Sequence, residues 1–167
     1  MPVEIRAHAG TYSPSSNGEI YPLYFGDYES LRGDGMDATH LNNDDLSISL
    51  IKAGPHTSVY GIHGMSDNPG TYYIFDFPFV DGEMKECHLE RFPIENELHC
   101  FGISGNSNFI CQSNTIDGNA YNSGIFSSNV VIENNYLYNY AAYMGKFLNN
   151  HVGIGGLHFR SRSGSPP

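Results

Sequence analysis

The chain has 167 residues, of which 40% are apolar and 16% are charged, and its formal net charge is −10. This composition excludes a disordered chain and favours one globular domain with a sizeable core. The negative charge opposes phosphate backbones, so we expect no nucleic-acid partner. No run of about 18 apolar residues occurs, so we expect no membrane span.

The cysteines and the N-terminus indicate where the protein works. Cys87, Cys100 and Cys111 show no CxxC spacing, and their odd number favours a reducing compartment over a disulfide framework. The first ten residues, MPVEIRAHAG, lack the apolar stretch of a signal peptide. We therefore expect an intracellular protein, either cytoplasmic or delivered into a host cell.

The middle of the chain has the pattern of β-strands. From residue 46 onwards, apolar and polar side chains alternate, and turn sequences such as SDNPG and VDGEM separate the alternating runs. The predicted strands are residues 46–53, 56–65, 71–80, 85–92 and 97–103. We expect them to form a sheet of about four or five mostly antiparallel strands.

A helical pattern follows near the C-terminus. Apolar or amide side chains recur at alternating steps of four and three, at Val130, Asn134, Leu137, Ala141, Met144 and Leu148. A second apolar stripe contains Tyr136, Tyr140, Tyr143 and Phe147. Two apolar stripes predict one long, buried C-terminal helix, capped by Ser127, Ser128 or Asn129.

These elements predict an α+β fold in which the sheet packs on that helix. Residues 1–159 would form the single domain, and residues 160–167 a flexible tail. The stretch SNVVIENNYL has the look of one coil of a β-helix, but we found no repeat period to accompany it.

Ser123 draws attention because it would lie in a tight turn at the start of that helix. Unpaired N–H groups and the helix dipole would stabilise an oxyanion there, and Gly124 would let a substrate approach the backbone. Serines also simply cap helices, so the position alone leaves both interpretations open.

Upstream, His56 begins one predicted strand and Asp76 ends the next. In a hairpin they could meet, with Asp76 orienting His56 as a general base; His63 is the alternative base.

The motifs HTSVYGI at 56–62, YIFDFP at 73–78 and DGNAYNSGIF at 117–126 resemble a cysteine protease superfamily. It contains adenovirus proteases, SUMO-type deconjugating proteases and YopJ-type effector acetyltransferases. The resemblance covers about residues 46–150 and implies that His56 is the base, that Asp76 orients it, and that residue 123 is the nucleophile. The loop from Asp117 to Gly124 would hold the oxyanion.

Two positions depart from the superfamily pattern. Ser123 stands where the superfamily has a nucleophilic Cys, and Asp117 stands where it has an oxyanion-stabilising Gln. Gln112 is an alternative oxyanion donor. Three explanations are open: a Cys→Ser substitution that inactivates the site, a naturally inactive relative, or a wrong alignment.

The eight histidines show no HExxH or HxH spacing, so the sequence predicts no metal site and no cofactor.

The resemblance implies a cysteine-protease-like hydrolase of peptide or isopeptide bonds, similar to deubiquitinases, SUMO proteases or viral and effector proteases. It would act on a protein substrate. The YopJ-like branch implies an acetyltransferase instead. The alternative is a non-catalytic, acidic α+β module that binds a protein partner, for example a basic one, as an immunity-type inhibitor or host-binding effector does.

Overall fold

The computed structural model describes residues 1–44, 48–66, 73–78, 81–91, 99–104, 108–122, 131–142 and 146–159. These residues form β-strands and one short α-helix. In chain order the elements are β1 (Val3–Ala7), β2 (Gly10–Tyr12), α1 (Pro14–Asn17), β3 (Leu23–Tyr24), β4 (Glu29–Gly33), β5 (Thr39–Asn43), β6 (Ile51–Lys52), β7 (Thr57–Tyr60), β8 (His63–Ser66), β9 (Tyr73–Pro78), β10 (Gly82–Lys85), β11 (His88–Arg91), β12 (His99–Ser104), β13 (Phe109–Gln112), β14 (Thr115–Asn122), β15 (Val131–Glu133), β16 (Tyr136–Ala142), β17 (Lys146–Leu148) and β18 (His151–Phe159).

The strands wind into a β-solenoid, because each one pairs in parallel with its equivalent in a neighbouring coil. Row 1 is a sheet of seven strands, β1, β4, β7, β10, β13, β15 and β17. Row 2 begins with β2, β5, β8 and β11, and row 3 begins with β3, β6, β9 and β12. The strand β14 belongs to both, since residues 115–117 pair with β11 and residues 119–122 pair with β12. The long strands β16 and β18 continue both rows.

The core lies inside the coils. Alternate side chains of strands such as β5, β7 and β13 point inwards, so residues in register form apolar columns along the solenoid axis. Gly64 interrupts the row 2 column because the Phe75 ring of row 3 occupies the space, only 2.9 Å from where a Cβ would lie.

A ladder of asparagines, the buried Asn114 and Asn135 and the half-buried Asn150, joins the coils at the corner between rows 1 and 2. The side-chain oxygen of Asn114 accepts from the Cys87 N–H at 2.9 Å, that of Asn135 accepts from the Asn114 N–H at 2.9 Å, and that of Asn150 accepts from the Asn135 N–H at 3.0 Å. Each side-chain amide also donates to a carbonyl of the preceding coil, for example from Asn135 to Cys111 at 2.9 Å. The ladder thus satisfies backbone groups that the corner would otherwise leave unpaired.

The predicted fold class, a mostly antiparallel sheet packed on a long helix, is wrong. Several predicted strands exist, among them β7, β9 and β12, but consecutive strands lie in different rows rather than in hairpins. Where the connecting residues are described, as at 86–87 and 113–114, the chain turns one corner of the coil instead of reversing its direction. Each strand therefore meets its equivalent in the next coil, and all the described pairs are parallel.

The predicted C-terminal helix is also wrong, because residues 131–133, 136–142 and 146–148 form β15, β16 and β17. Asn134 and Asn149 have φ values of 54° and 50°, which a right-handed helix does not contain. Ile132 and Leu137 point inwards from two strands on either side of a corner. Within each strand every second residue points inwards, but the corner between the two strands changes the spacing. The apolar residues on both sides of the corner then recur at steps of three and four, as in a helix.

Three further predictions concern the cysteines, the C-terminal tail and the membrane. Cys87 and Cys111 are buried thiols outside any disulfide of the described residues, and burial raises the pKa of Cys87 to about 12. The tail, 160–167, lies outside the described residues. Within the part of the chain that the structure describes, no helix is long and apolar enough to cross a membrane.

The asparagine ladder gives a stability prediction. Asn135→Ala removes the acceptor of the buried Asn114 N–H and the donor to the Cys111 carbonyl, so we expect the free energy of unfolding to fall by about 3 kcal/mol. Urea denaturation followed by circular dichroism measures this change. Gln112→Ala, an outward-facing change one coil earlier, should alter stability by less than about 0.5 kcal/mol. Equal effects of the two variants would contradict the role of the ladder.

Candidate metal centre

Parallel register brings histidines from consecutive coils side by side. In row 2, His40 of β5 is in register with His63 of β8, which is in register with His88 of β11. The outward column of row 2 also contains Thr11, Thr115, Tyr136 and His151. Neighbouring strands of a sheet lie about 4.8 Å apart, so in-register side chains are in contact.

The three imidazoles contact one another closely. The Nδ1 atoms of His40 and His63 are 3.1 Å apart, and the rings of His63 and His88 stack with centroids 4.4 Å apart and planes 8° apart. Two carboxylates from the next coils flank the rings. The Nε2 atom of His63 lies 3.3 Å from Glu90 Oε2, and the Nε2 atom of His88 lies 3.0 Å from Asp117 Oδ2.

Hydrogen-bond partners assign the tautomers of these rings. His40 Nε2 lies 3.3 Å from the Asp37 carbonyl, which can only accept, so Nε2 carries the hydrogen of a neutral His40. His40 Nδ1 is then an acceptor, and His63 donates to it from Nδ1. The Nε2 atom of a neutral His63 is left with a lone pair. Likewise, His88 donates to Asp117 from Nε2, which leaves a lone pair on its Nδ1.

The lone pair on His63 has no hydrogen-bond partner among the described residues, although its Nε2 atom is buried. It faces Glu90 at 3.3 Å, and two lone pairs at this distance repel unless a cation or a proton lies between them. The His63 side chain is only 15% exposed, and burial is the main cause that lowers its pKa. The neighbouring His88 and His40 lower that pKa further, while Glu90 opposes them.

His63, His88 and Glu90 could therefore share a metal ion. One ligand atom from each of them lies within 4.8 Å of the others. Because the two rings are nearly parallel, at least one imidazole must rotate for both lone pairs to point at one ion. His40 and Asp117 would hold the other ring nitrogens, as the outer partners of metal-bound histidines commonly do.

Two of the predicted catalytic residues, His56 and Asp76, are described and lie outside this cluster. His56 immediately precedes the first residue of β7, a central strand of row 1. Its ring stacks on that of Tyr28 with centroids 4.4 Å apart, and its Nδ1 atom lies 4.0 Å from Asp81 Oδ2. Asp76 lies on β9 in row 3, where burial raises its pKa and the charge of Lys52 opposes this rise. The hairpin that was to join His56 to Asp76 does not exist, and His56 has Asp81 as its carboxylate neighbour.

The remaining predicted site residues are divided between the described and undescribed parts of the chain. Ser123 and Gly124 lie outside the described residues, so the triad stays a prediction. Gln112 ends β13 and faces outwards in row 1, in register with Lys85. Asp117, predicted for the oxyanion site, lies 3.0 Å from His88 Nε2, and its predicted role stays a prediction.

Sequence motifs did not reveal the metal-ligand set because they look for ligands a few residues apart. Here the ligands are separated by a whole coil. The signal is the recurrence of an outward–inward–outward triplet in successive coils: HLN at 40–42, HGM at 63–65, HLE at 88–90 and TID at 115–117.

Comparison with known proteins gave no relative: no family model, no curated protein and no solved structure matches the chain significantly.

The burial of His63 predicts a pH dependence for the metal-free chain. Its pKa is lower in the folded state, so the unfolded chain binds the proton more readily and stability is lost as the pH falls below about 6.5. We expect the free energy of unfolding, measured in chelator, to fall less steeply with decreasing pH in His63→Gln than in the unsubstituted chain. His151→Gln, on the exposed part of the same column, should keep the original slope. A His63→Gln chain with an unchanged slope would contradict the assignment.

Proposed function

We propose that this chain is a β-solenoid that binds a divalent transition-metal ion at His63, His88 and Glu90. One observation carries the proposal: these three side chains, from two adjacent coils, bring their ligand atoms within 4.8 Å of one another. The tautomers supported by His40 and Asp117 leave a lone pair on each imidazole, which is the form that binds metals.

The donor set selects the class of metal. Imidazole nitrogens suit Zn²⁺, Co²⁺, Ni²⁺ and Fe²⁺, whereas Ca²⁺ and Mg²⁺ prefer sites made only of oxygen ligands. Two histidines and one glutamate supply three ligands, so a four-coordinate ion keeps one position for water or an external ligand. His63 is the most buried of the three ligands, whereas His88 and Glu90 are partly exposed on the outward face of row 2, so solvent would reach this position from their side.

An open position is typical of catalytic zinc sites rather than structural ones. In this one respect the site is compatible with the hydrolase predicted from the sequence, although it uses different residues. The cysteine-protease-like hydrolase, the acetyltransferase and the non-catalytic module that binds a protein partner all stay predictions. The metal-binding proposal does not depend on any of them.

Removal of a ligand should weaken metal binding strongly. Isothermal titration of the metal-free chain with ZnCl₂ should give one ion per chain. His63→Ala, His88→Ala and Glu90→Gln should each raise the Kd by roughly tenfold or more, because loss of an outer partner alone commonly costs that much. His151→Ala, in the same outward column, is the matched control and should bind like the unsubstituted chain. Absence of stoichiometric binding, or equal binding by all four variants, would refute the proposal.

The outer partner His40 should act through the tautomer of His63. His40→Ala removes the acceptor of the His63 Nδ1–H, and we expect Zn²⁺ affinity to fall about 10- to 100-fold. His40→Gln retains a side-chain oxygen acceptor and should recover part of that loss. The same titration distinguishes the variants. If His40→Ala and His40→Gln bind equally, the tautomer argument fails, while the ligand set itself can still be correct.

A further inference from the structure

Among the described residues, no strand covers the outer side of the first coil. The strand β1 is the edge of row 1 and pairs only with β4 among the described residues. Ile5 is in register with Leu31 and belongs to the same inward column, yet Ile5 is 45% exposed whereas Leu31 is 3% exposed. An inward-facing side chain is exposed here because no described strand covers it.

Backbone alternation determines which groups an incoming strand would meet. The Val3 N–H donates to the Tyr28 carbonyl at 3.1 Å, so the backbone groups of Val3, Ile5 and Ala7 face β4. Those of Glu4 and Arg6 therefore face the open side, because successive residues of a strand alternate. A row of unpaired N–H and C=O groups is a template for β-pairing with another chain.

We propose that a second copy of this chain pairs antiparallel with β1 about a twofold axis at Ile5. Hydrogen-bonded pairs must form between residues whose backbone groups face outwards, so the axis falls at Glu4, Ile5 or Arg6. An axis at Glu4 would place two carboxylates opposite each other, and an axis at Arg6 would oppose two guanidinium groups. Only the axis at Ile5 pairs Glu4 with Arg6, and it does so twice by symmetry.

The intramolecular ion pairs fit this register. Arg6 bonds Asp34 at 3.0 Å, and Glu4 bonds Arg32 at 3.1 Å, within the same outer face. Pairing about Ile5 extends them into a row of alternating charges in which each arginine lies between two carboxylates or beside one. Arg6 and Arg32 are already in register within one chain, and the pairing about Ile5 adds no further contact between like charges, which favours this register over the alternatives.

Apolar burial supplies the driving force. In the proposed pair Ile5 faces Ile5 of the other copy in a non-hydrogen-bonded position, where side chains approach most closely. Other large apolar residues of the first coil are exposed and would be covered at the same end: Met1, Val3, Ile20 and Tyr24. This surface is independent of the metal centre, so neither proposal depends on the other.

Cysteine cross-linking tests both the partner and the register. Ile5→Cys places one thiol of each copy on the twofold axis, and we expect mild oxidation to give a disulfide-linked dimer on a non-reducing gel. Val3→Cys is the matched control, since Val3 is equally exposed on the same strand but faces Ala7 of the other copy. It should give little cross-linked dimer, as should the unsubstituted chain.

Sedimentation equilibrium provides the second readout. The unsubstituted chain should dimerise reversibly, and Arg6→Glu should raise the dimer Kd roughly tenfold or more, because it opposes carboxylates at two symmetric positions. A strictly monomeric chain at high micromolar concentration would overturn the proposal. A dimer in which Val3→Cys cross-links as well as Ile5→Cys would overturn it equally, because the register would then be wrong.

Discussion

The hydrogen bonds that join one coil to the next are the constraint on which this structure depends. In-register backbone pairing lets each coil repeat the inward and outward pattern of the coil before it. The asparagine ladder reinforces the register at one corner, since Asn114, Asn135 and Asn150 each bond a backbone N–H and a carbonyl of the preceding coil. A slip by one residue would turn every inward side chain outwards and leave those buried backbone groups unpaired.

The same register assembles the candidate metal centre. A single coil contributes one imidazole to the outward column of row 2, and only the neighbouring coil brings a second one within contact distance. His63, between His40 and His88, is disfavoured as a cation because it is buried and because its neighbours can carry like charge. In the neutral ring, the lone pair on Nε2 faces the Glu90 carboxylate and has no hydrogen-bond donor among the described residues. In our proposal a metal ion would resolve this conflict, and the neutral form that costs stability in acid would be the form that binds it.

The sequence predicts strands well in places and the fold poorly, for identifiable reasons. Alternation at 57–60 and 73–78 predicts β7 and β9 correctly, because period-two patterning is local. Pairing direction is not local, and turns such as SDNPG are equally compatible with a hairpin or with a corner. The helix prediction failed because strands on either side of the corner at Asn134 imitate helical spacing.

The coil repeat was hidden because the positions in register are unevenly spaced along the chain: Ser30, Ser58, Glu83, Ile110, Val131 and Lys146. The histidine cluster could have been found only by aligning triplets one coil apart.

The most direct test of the account is whether the outward column of row 2 is straight and evenly spaced. Spin labels on cysteines introduced in place of Thr11 and, in separate chains, of Thr115, Tyr136 or His151 would measure it by electron–electron double resonance. At about 4.8 Å per coil, the three distances should increase in equal steps, to roughly 19, 24 and 29 Å. Distances that do not increase with coil number would contradict the parallel, in-register solenoid, and the metal centre that it assembles would fall with it.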